Sequence, residues 1–255
     1  MQQITFKEVD LLTNLRRRIS DLNLPQVQEE DKCLVRWLRA RNHSLDAAEA
    51  MIRQNQLWIR AMNLDLLVLE GDPDSYANNF PWYFFGNDKD GNPVFCFLCG
   101  RYDIRGAISR GEMSLCKKSS IKRMELIWRC CQRKSLGKPI MGQAVLIIDM
   151  AGLSFSQVTS YEATQLVIQV CRISEQNYPE MLRMGFVINA PTAFRLCYKI
   201  LHHVLDKNTF SKITVLGSDP AVWRKEIGAM VAFSQFPKKY GGDGDNNLKM
   251  GFECD

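Results

Sequence analysis

Three observations predict that this 255-residue chain adopts an α/β fold with a mostly parallel sheet. In its second half, apolar runs of strand length alternate with helical periodicity: residues 144–150, 156–177, 184–190, 192–205 and 212–217 read strand, helix, strand, helix, strand. Segments of these lengths imply right-handed crossovers between parallel neighbours. Ahead of them, two aromatic runs flank a turn-rich loop, and the first third of the chain carries helical signals alone.

Taken in order, Glu29-Glu30-Asp31 opens a helix that holds Leu34, Trp37 and Leu38. It closes on Arg36, Arg39 and Arg41, the charge order that complements a helix dipole. Ser44 reads as the N-cap of a second helix, with Asp46 and Glu49 early and Met51, Ile52, Leu57 and Trp58 further on. Asp72-Pro73-Asp74 breaks the pattern. Trp82-Tyr83-Phe84-Phe85 and Val94-Phe95-Cys96-Phe97-Leu98 then read as strands around Asp88-Lys89-Asp90-Gly91-Asn92-Pro93. That loop begins like a calcium loop, but its twelfth position is Cys99 where a bidentate Glu is required, so a hairpin turn is expected.

A basic stretch follows. Between residues 117 and 138 stand Lys117, Lys118, Lys122, Arg123, Arg129, Arg133, Lys134 and Lys138 against the single acid Glu125, and Arg16-Arg17-Arg18 forms a second knot. Such runs attract anionic lipid or nucleic acid, although a solvated helix face is the simpler reading. Interleaved aromatics and nucleic-acid reading motifs are missing, so no nucleic-acid partner is expected.

The segment 192–206 is unusual. At ~100° per residue, Leu196, Ile200, Ala193, Val204, Cys197, Leu201, Phe194, Leu205 and Tyr198 spread over an arc of about 200°, opposite a polar stripe of His202, Arg195, Asp206, Lys199, Thr192 and His203. A helix lying on a sheet needs only about 100° of apolar surface. Neighbouring protein, a lipid or a membrane would have to cover the rest.

Composition narrows the function. The chain is 46% hydrophobic and 24% charged with formal net charge +5, the range of an ordinary globular core. No apolar run approaches the ~18 residues of a spanning helix and no signal peptide is visible, so membrane contact is expected to be peripheral and the location cytoplasmic. Nine cysteines in mostly apolar runs, with Cys96 and Cys99 the only C-x-x-C pair, indicate buried thiols and no metal site. Dinucleotide, Walker and nucleophile-elbow motifs are absent. Asp149 at a strand end is the one candidate catalytic carboxylate, with no His positioned to serve a triad, so neither an enzyme nor a cofactor is expected.

Six ordered motifs carry a resemblance: Leu38-Arg39-Ala40-Arg41-Asn42, Asp88-Lys89-Asp90-Gly91-Asn92-Pro93-Val94, Ile148-Asp149-Met150-Ala151-Gly152, Asn177-Tyr178-Pro179-Glu180, Ile188-Asn189-Ala190-Pro191 and Tyr240-Gly241-Gly242. Together they resemble the CRAL-TRIO lipid-transfer proteins, most closely the animal branch that includes supernatant protein factor. The resemblance implies a helical N-terminal lobe over residues 1–72, a CRAL-TRIO lobe over 73–245 whose sheet floors a lipid cavity closed by a gate helix, and a tail over 246–255. It implies a cytosolic carrier that extracts phosphatidylinositol, or a tocopherol-, retinoid- or terpenoid-like lipid, from membranes rich in anionic lipid. A lipid-occupancy sensor acting on a protein partner is the alternative.

The same resemblance assigns residues. Arg41, Glu180 and Lys212 match positions that hold the phosphate and inositol of phosphatidylinositol, with Asn42 where a second basic residue is usual. Ser154 and Ser156 match a Ser pair used for phosphatidylcholine, but Phe95 stands at a Tyr position. Tocopherol-type carriers have basic residues where Met181 and Asn208 stand here, while Arg183 and Lys212 match their other basic positions. Phe95, Phe97, Phe155, Phe194, Cys197 and Leu201 are expected to line the lipid pocket. Tyr198, Leu201, Val204 and Leu205 are expected to form the working face of the gate, over residues 191–210.

Overall fold

The computed structural model describes residues 3–70 and 74–244. The break at Asp72-Pro73 and the tail 246–255 lie outside the described residues. Helices α1 (Phe6–Arg18), α2 (Gln26–Glu29), α3 (Asp31–Arg39), α4 (Leu45–Met62), α5 (Leu64–Leu69) and α6 (Asp74–Asn79) come first. The hairpin β1 (Trp82–Asn87) and β2 (Pro93–Phe97) is followed by α7 (Ile104–Ser109), α8 (Met113–Arg133) and β3 (Ala144–Asp149). Then come α9 (Phe155–Val158), α10 (Tyr161–Asn177), β4 (Leu182–Ile188), α11 (Phe194–Val204), α12 (Lys207–Ser211), β5 (Ile213–Val215) and α13 (Pro220–Gly228).

Local chemistry sets these boundaries. Thr5 and Glu8 form a capping box on α1, and Ser44 accepts from the Ala47 amide to start α4. In the hairpin, the Asp88 carboxylate accepts from the amides of Asp90 and Asn92, so the acidic loop is held by its own backbone. Around α1, α3 and α4, a core of Leu12, Leu15, Leu34, Leu38 and Ile52 is almost wholly buried.

The five strands lie in chain order, β1 antiparallel to β2 and the rest parallel. Parallel neighbours joined in sequence by right-handed crossovers put every crossover helix on one side of the sheet. Alternation along the strands divides the side chains accordingly. Val94, Cys96, Val145, Ile147, Phe186 and Ile188 point to the face packed with Trp223, Ile227, Phe236 and Tyr240. The opposite parity faces the crossover helices, with Phe95 and Ala144 buried against α8 residues Ile121, Met124 and Ile127.

Three of the sequence motifs meet in one polar knot. Asp149 Oδ2 accepts from the Tyr240 hydroxyl at 2.7 Å, and its Oδ1 accepts from Asn189 Nδ2 at 2.8 Å and the Ala151 amide at 3.0 Å. Asp149, weighed as a catalytic carboxylate, is therefore a fully bonded tie between two strand ends and the C-terminal turn. A Cβ on Gly242 would lie 2.1 Å from the Phe236 carbonyl oxygen, so this turn closes only with glycine.

Several expected elements are redrawn. The segment 156–177 is two helices, because Ser160 caps α10 and Ser154 caps the short α9 through its own capping box with Gln157. The segment 192–205 ends at Val204, and Asp206 caps α12. The basic stretch is a solvated face only in part: Lys118, Arg133 and Lys138 are exposed, but Lys122 and Arg123 are buried, and Arg129 pairs with Glu125 at 2.7 Å and Asp65 at 2.6 Å. Described cysteines are free thiols, five of them buried.

Candidate functional site

A cavity of about 420 Å³ lies between the crossover helices and the sheet, in the ~300–1,000 Å³ range of pockets for small molecules. Phe97, Leu146, Ile148, Leu182, Gly185 and Ile213 form its floor, all on one face of β2 to β5, where the register irregularity at Ala144 and Val145 brings Leu182 to the side of Gly185. Its walls come from α8 through Met124 and Ile127 and from α10 through Val167, Val170 and Cys171. Burial among these apolar groups pushes the Cys171 thiol up to about 12, so it stays protonated and inert at neutral pH.

Helix α11 covers the open side. It packs on α10 and α9 and presents Phe194, Cys197, Ile200 and Leu201 to the cavity, with Leu205 just beyond its end. Tyr198 lies against Phe210 of α12 with ring centroids 4.9 Å apart, and Val204 is partly exposed. Leu196 is 43% exposed on the outer side. The wide arc is thus divided between cavity, neighbouring helix and solvent.

The cavity has a polar end at the starts of β4 and β5. Lys212 Nζ lies 2.9 Å from Glu180 Oε2, both side chains largely buried, and Asn208 Nδ2 donates to the other carboxylate oxygen. Glu180 sits at φ 56, a left-handed conformation that costs a non-glycine residue ~1–2 kcal/mol. Gln143 holds it there by donating to the carbonyls of Glu180 at 2.8 Å and Leu182 at 3.2 Å. The strained turn aims the carboxylate into the cavity rim, where strain of this kind tends to accompany function. Glu175 lines the same end, and burial pushes its carboxyl above the usual range.

The expected site residues separate into two groups. Glu180, Lys212, Phe97, Phe194, Cys197 and Leu201 come together around the cavity. Phe95 does not reach it: it shares the sheet face of Phe97 and Leu146, but Trp82, Phe84 and the α8 side chains bury it there. Phe155, the first residue of α9, is 66% exposed. Ser154 and Ser156 share a hydrogen bond of 3.0 Å outside the cavity lining, the first already engaged as a helix cap. Arg41 bonds the adjacent Ala40 carbonyl and does not line the cavity.

A different arginine, Arg36 of α3, approaches this end. Arg36 is wholly buried, its Nε donating to the Pro179 carbonyl at 2.8 Å and its guanidinium 3.9 Å from the Trp128 ring centre. Desolvation lowers its pKa to about 10. The sequence signal was a lone charge inside the apolar run from Cys33 to Leu38. Asn208, Gln143 and Glu175 carry no such signal; only the fold brings them to Glu180.

Among the described residues no group of three or more His, Cys, Asp or Glu side chains is placed to hold a metal, and no helix is long and apolar enough to cross a membrane.

A mostly parallel sheet whose crossover helices, all on one face, enclose an apolar cavity defines the class: an α/β domain built around an internal ligand space. Residues 77–242 match the CRAL/TRIO domain, and the chain belongs to that family. Relatives include Protein real-time of Anopheles gambiae, 26% identical over 94% of this chain and 35% of that protein. A phosphatidylinositol/phosphatidylcholine transfer protein, SFH4, of Arabidopsis thaliana is 28% identical over 88% of this chain and 37% of its own length. SEC14 cytosolic factor of Kluyveromyces lactis is 27% identical over 85% and 72%. The chain therefore spans about a third of the first two relatives. The crystal structure of Sfh5 superposes with a TM-score of 0.64 at 16% identity, over 97% of this chain and 91% of that one, which establishes a shared fold.

Proposed function

We propose that the protein binds a hydrophobic ligand in this cavity and transfers it between membranes, with no chemical step. The carrying observation is an apolar cavity closed by α11 with one ion pair, Glu180 to Lys212, at its rim. Phosphatidylinositol fits that end, its chains along Phe97, Leu146 and Ile213 and its phosphate beside Lys212; a tocopherol-, retinoid- or terpenoid-like lipid would use the apolar walls alone. The names of the SFH4 relative and the SEC14 cytosolic factor support transfer of a phospholipid and a cytoplasmic location.

In this reading residues 1–72 form a helical lobe that braces the lipid-binding lobe of 73–245, and α11 is the gate. Opening in water exposes its inner side chains, at ~1.5 to 3 kcal/mol for each large one. Against a bilayer they stay in an apolar medium, so docking on an anionic surface lowers the cost and couples release to arrival. Mass spectrometry of copurified lipid together with phosphatidylinositol transfer between vesicles is the test. A carrier holds lipid and moves it unaided; a protein that holds lipid without moving it is a sensor, and one that holds none refutes the proposal.

A further inference from the structure

The cavity has a second polar end. Tyr102, from the loop after β2, packs with Leu166 of α10, which stands roughly 14 Å along that helix from Glu175 at ~1.5 Å per residue. Arg123 of α8 reaches the cavity wall here while only 6% exposed. Its Nη1 donates to the Phe80 carbonyl at 3.1 Å and its Nη2 to the Ser120 hydroxyl at 3.4 Å, and its guanidinium carbon lies 5.9 Å from the Tyr76 ring centre and 5.7 Å from that of Tyr102. No carboxylate pairs with it among the described residues.

Next to this cation, the Tyr102 hydroxyl is buried without a hydrogen-bond partner, with only the Cys99 thiol, a weak hydrogen-bonding group, beside it. The Tyr76 hydroxyl is already committed to the Cys116 carbonyl at 3.3 Å. A buried cation without a counter-ion and a buried hydroxyl without a partner are both costly. One anionic oxygen group entering between them would relieve both.

We infer that this end of the cavity is a second head-group subsite, which takes a carboxylate or phosphate carried on a hydrocarbon chain, with Arg123 supplying the charge and the Tyr102 hydroxyl a neutral donor. The inference rests on the proposal that the cavity holds lipid, and it adds a second place for an anionic group, at the end of the cavity away from Lys212.

Calorimetric titration of the delipidated full chain with oleate, oleoyl lysophosphatidate and oleyl alcohol tests it. Wild-type protein binds at least one of the two anions about tenfold or more tightly than the alcohol, the scale of one charge-assisted contact. Whichever anion binds better identifies the head group. Arg123→Gln brings the ratio below about threefold, and Tyr102→Phe lowers it about threefold. Equal binding of anion and alcohol by wild-type protein overturns the inference, as does a preference lost in Lys212→Ala and kept in Arg123→Gln. If Arg123→Gln fails to fold, Tyr102→Phe decides, and an unchanged ratio there overturns it. Failure of all three ligands to bind wild-type protein would instead overturn the lipid-binding proposal itself.

Discussion

Arg36 Nε donates to the Pro179 carbonyl at 2.8 Å, joining positions 143 residues apart. The bond ties the third helix to the turn that presents Glu180, and the stacked Trp128 ring fills the space around the guanidinium. Arg36→Ala removes both a buried bond and the packing of a long side chain, with an expected loss of about 3 to 5 kcal/mol in urea unfolding. Arg36→Met restores most of the volume and should recover at least half of that loss. Equal losses in the two variants would show that the hydrogen bond alone carries the effect.

Lys212 and Glu180 make the second test. Lys212→Ala leaves the carboxylate with Asn208 as its remaining side-chain partner, and Glu180→Gln keeps the shape while removing the charge. Either change should reduce phosphatidylinositol transfer about tenfold, the equivalent of ~1.4 kcal/mol, and leave transfer of a neutral lipid within about twofold. Equal loss for both lipids would remove head-group recognition from this pair. Arg41→Ala, on a side chain that stays with the Ala40 carbonyl, should change neither.

These contrasts follow from what a sequence exposes. Strands buried on both faces read as unbroken apolar runs, so β3 and β4 and their parallel order were visible before any coordinates. The excess apolar arc of 192–206 was visible for the same reason: it counts side chains that need cover. What covers them depends on distant residues, and so does the fate of a charge. Arg123 and Lys122 look like a solvated face until Phe80 and Glu70 supply carbonyls from 43 and 52 residues away. In the sequence Arg36 looks like a helix-closing charge although it sits in an apolar run, and the resemblance points to Arg41 at the head group instead. Phe155, expected in the pocket lining from the resemblance, opens the short α9 and faces solvent instead. Six motifs are legible in order, but not that Asn189 and Tyr240 both donate to Asp149.

Acid should loosen the N-terminal helices through Glu8. The side chain is buried and accepts from Arg39 Nε at 2.7 Å and from the Thr5 amide at 2.9 Å, with His43 Nε2 at 2.9 Å. The Arg39 bond, foremost, holds its carboxyl well below the usual carboxylate range. A depressed folded-state pKa means stability that is fully present above the unfolded value of ~4.3 and lost as pH falls toward the folded one. Glu8→Gln should therefore destabilise the protein at pH 7 by about 1 to 3 kcal/mol, with the difference from wild type shrinking steadily below pH 4 in thermal melts. A difference that stays constant from pH 7 to pH 3 would remove ionisation of Glu8 as its source.

The gate reading of α11 makes separate demands on its two sides. Leu201 and Leu205 face the cavity, so replacing both with Asp puts charge where the closed state needs apolar surface, and withdraws about 3 to 6 kcal/mol of burial. The gate would then open without a membrane: spontaneous lipid loss should rise, and the acceleration by vesicles should fall about tenfold or more. Leu196 is on the outer side and touches no ligand space, so Leu196→Asp should leave spontaneous retention unchanged and weaken only the response to vesicles. Stopped-flow release of a fluorescent lipid with and without anionic vesicles separates the two effects. A helix that merely packs over the cavity predicts faster leakage for the inner pair and no effect at all for Leu196, whereas a gate that swings onto a bilayer requires both sides to matter, each in its own step.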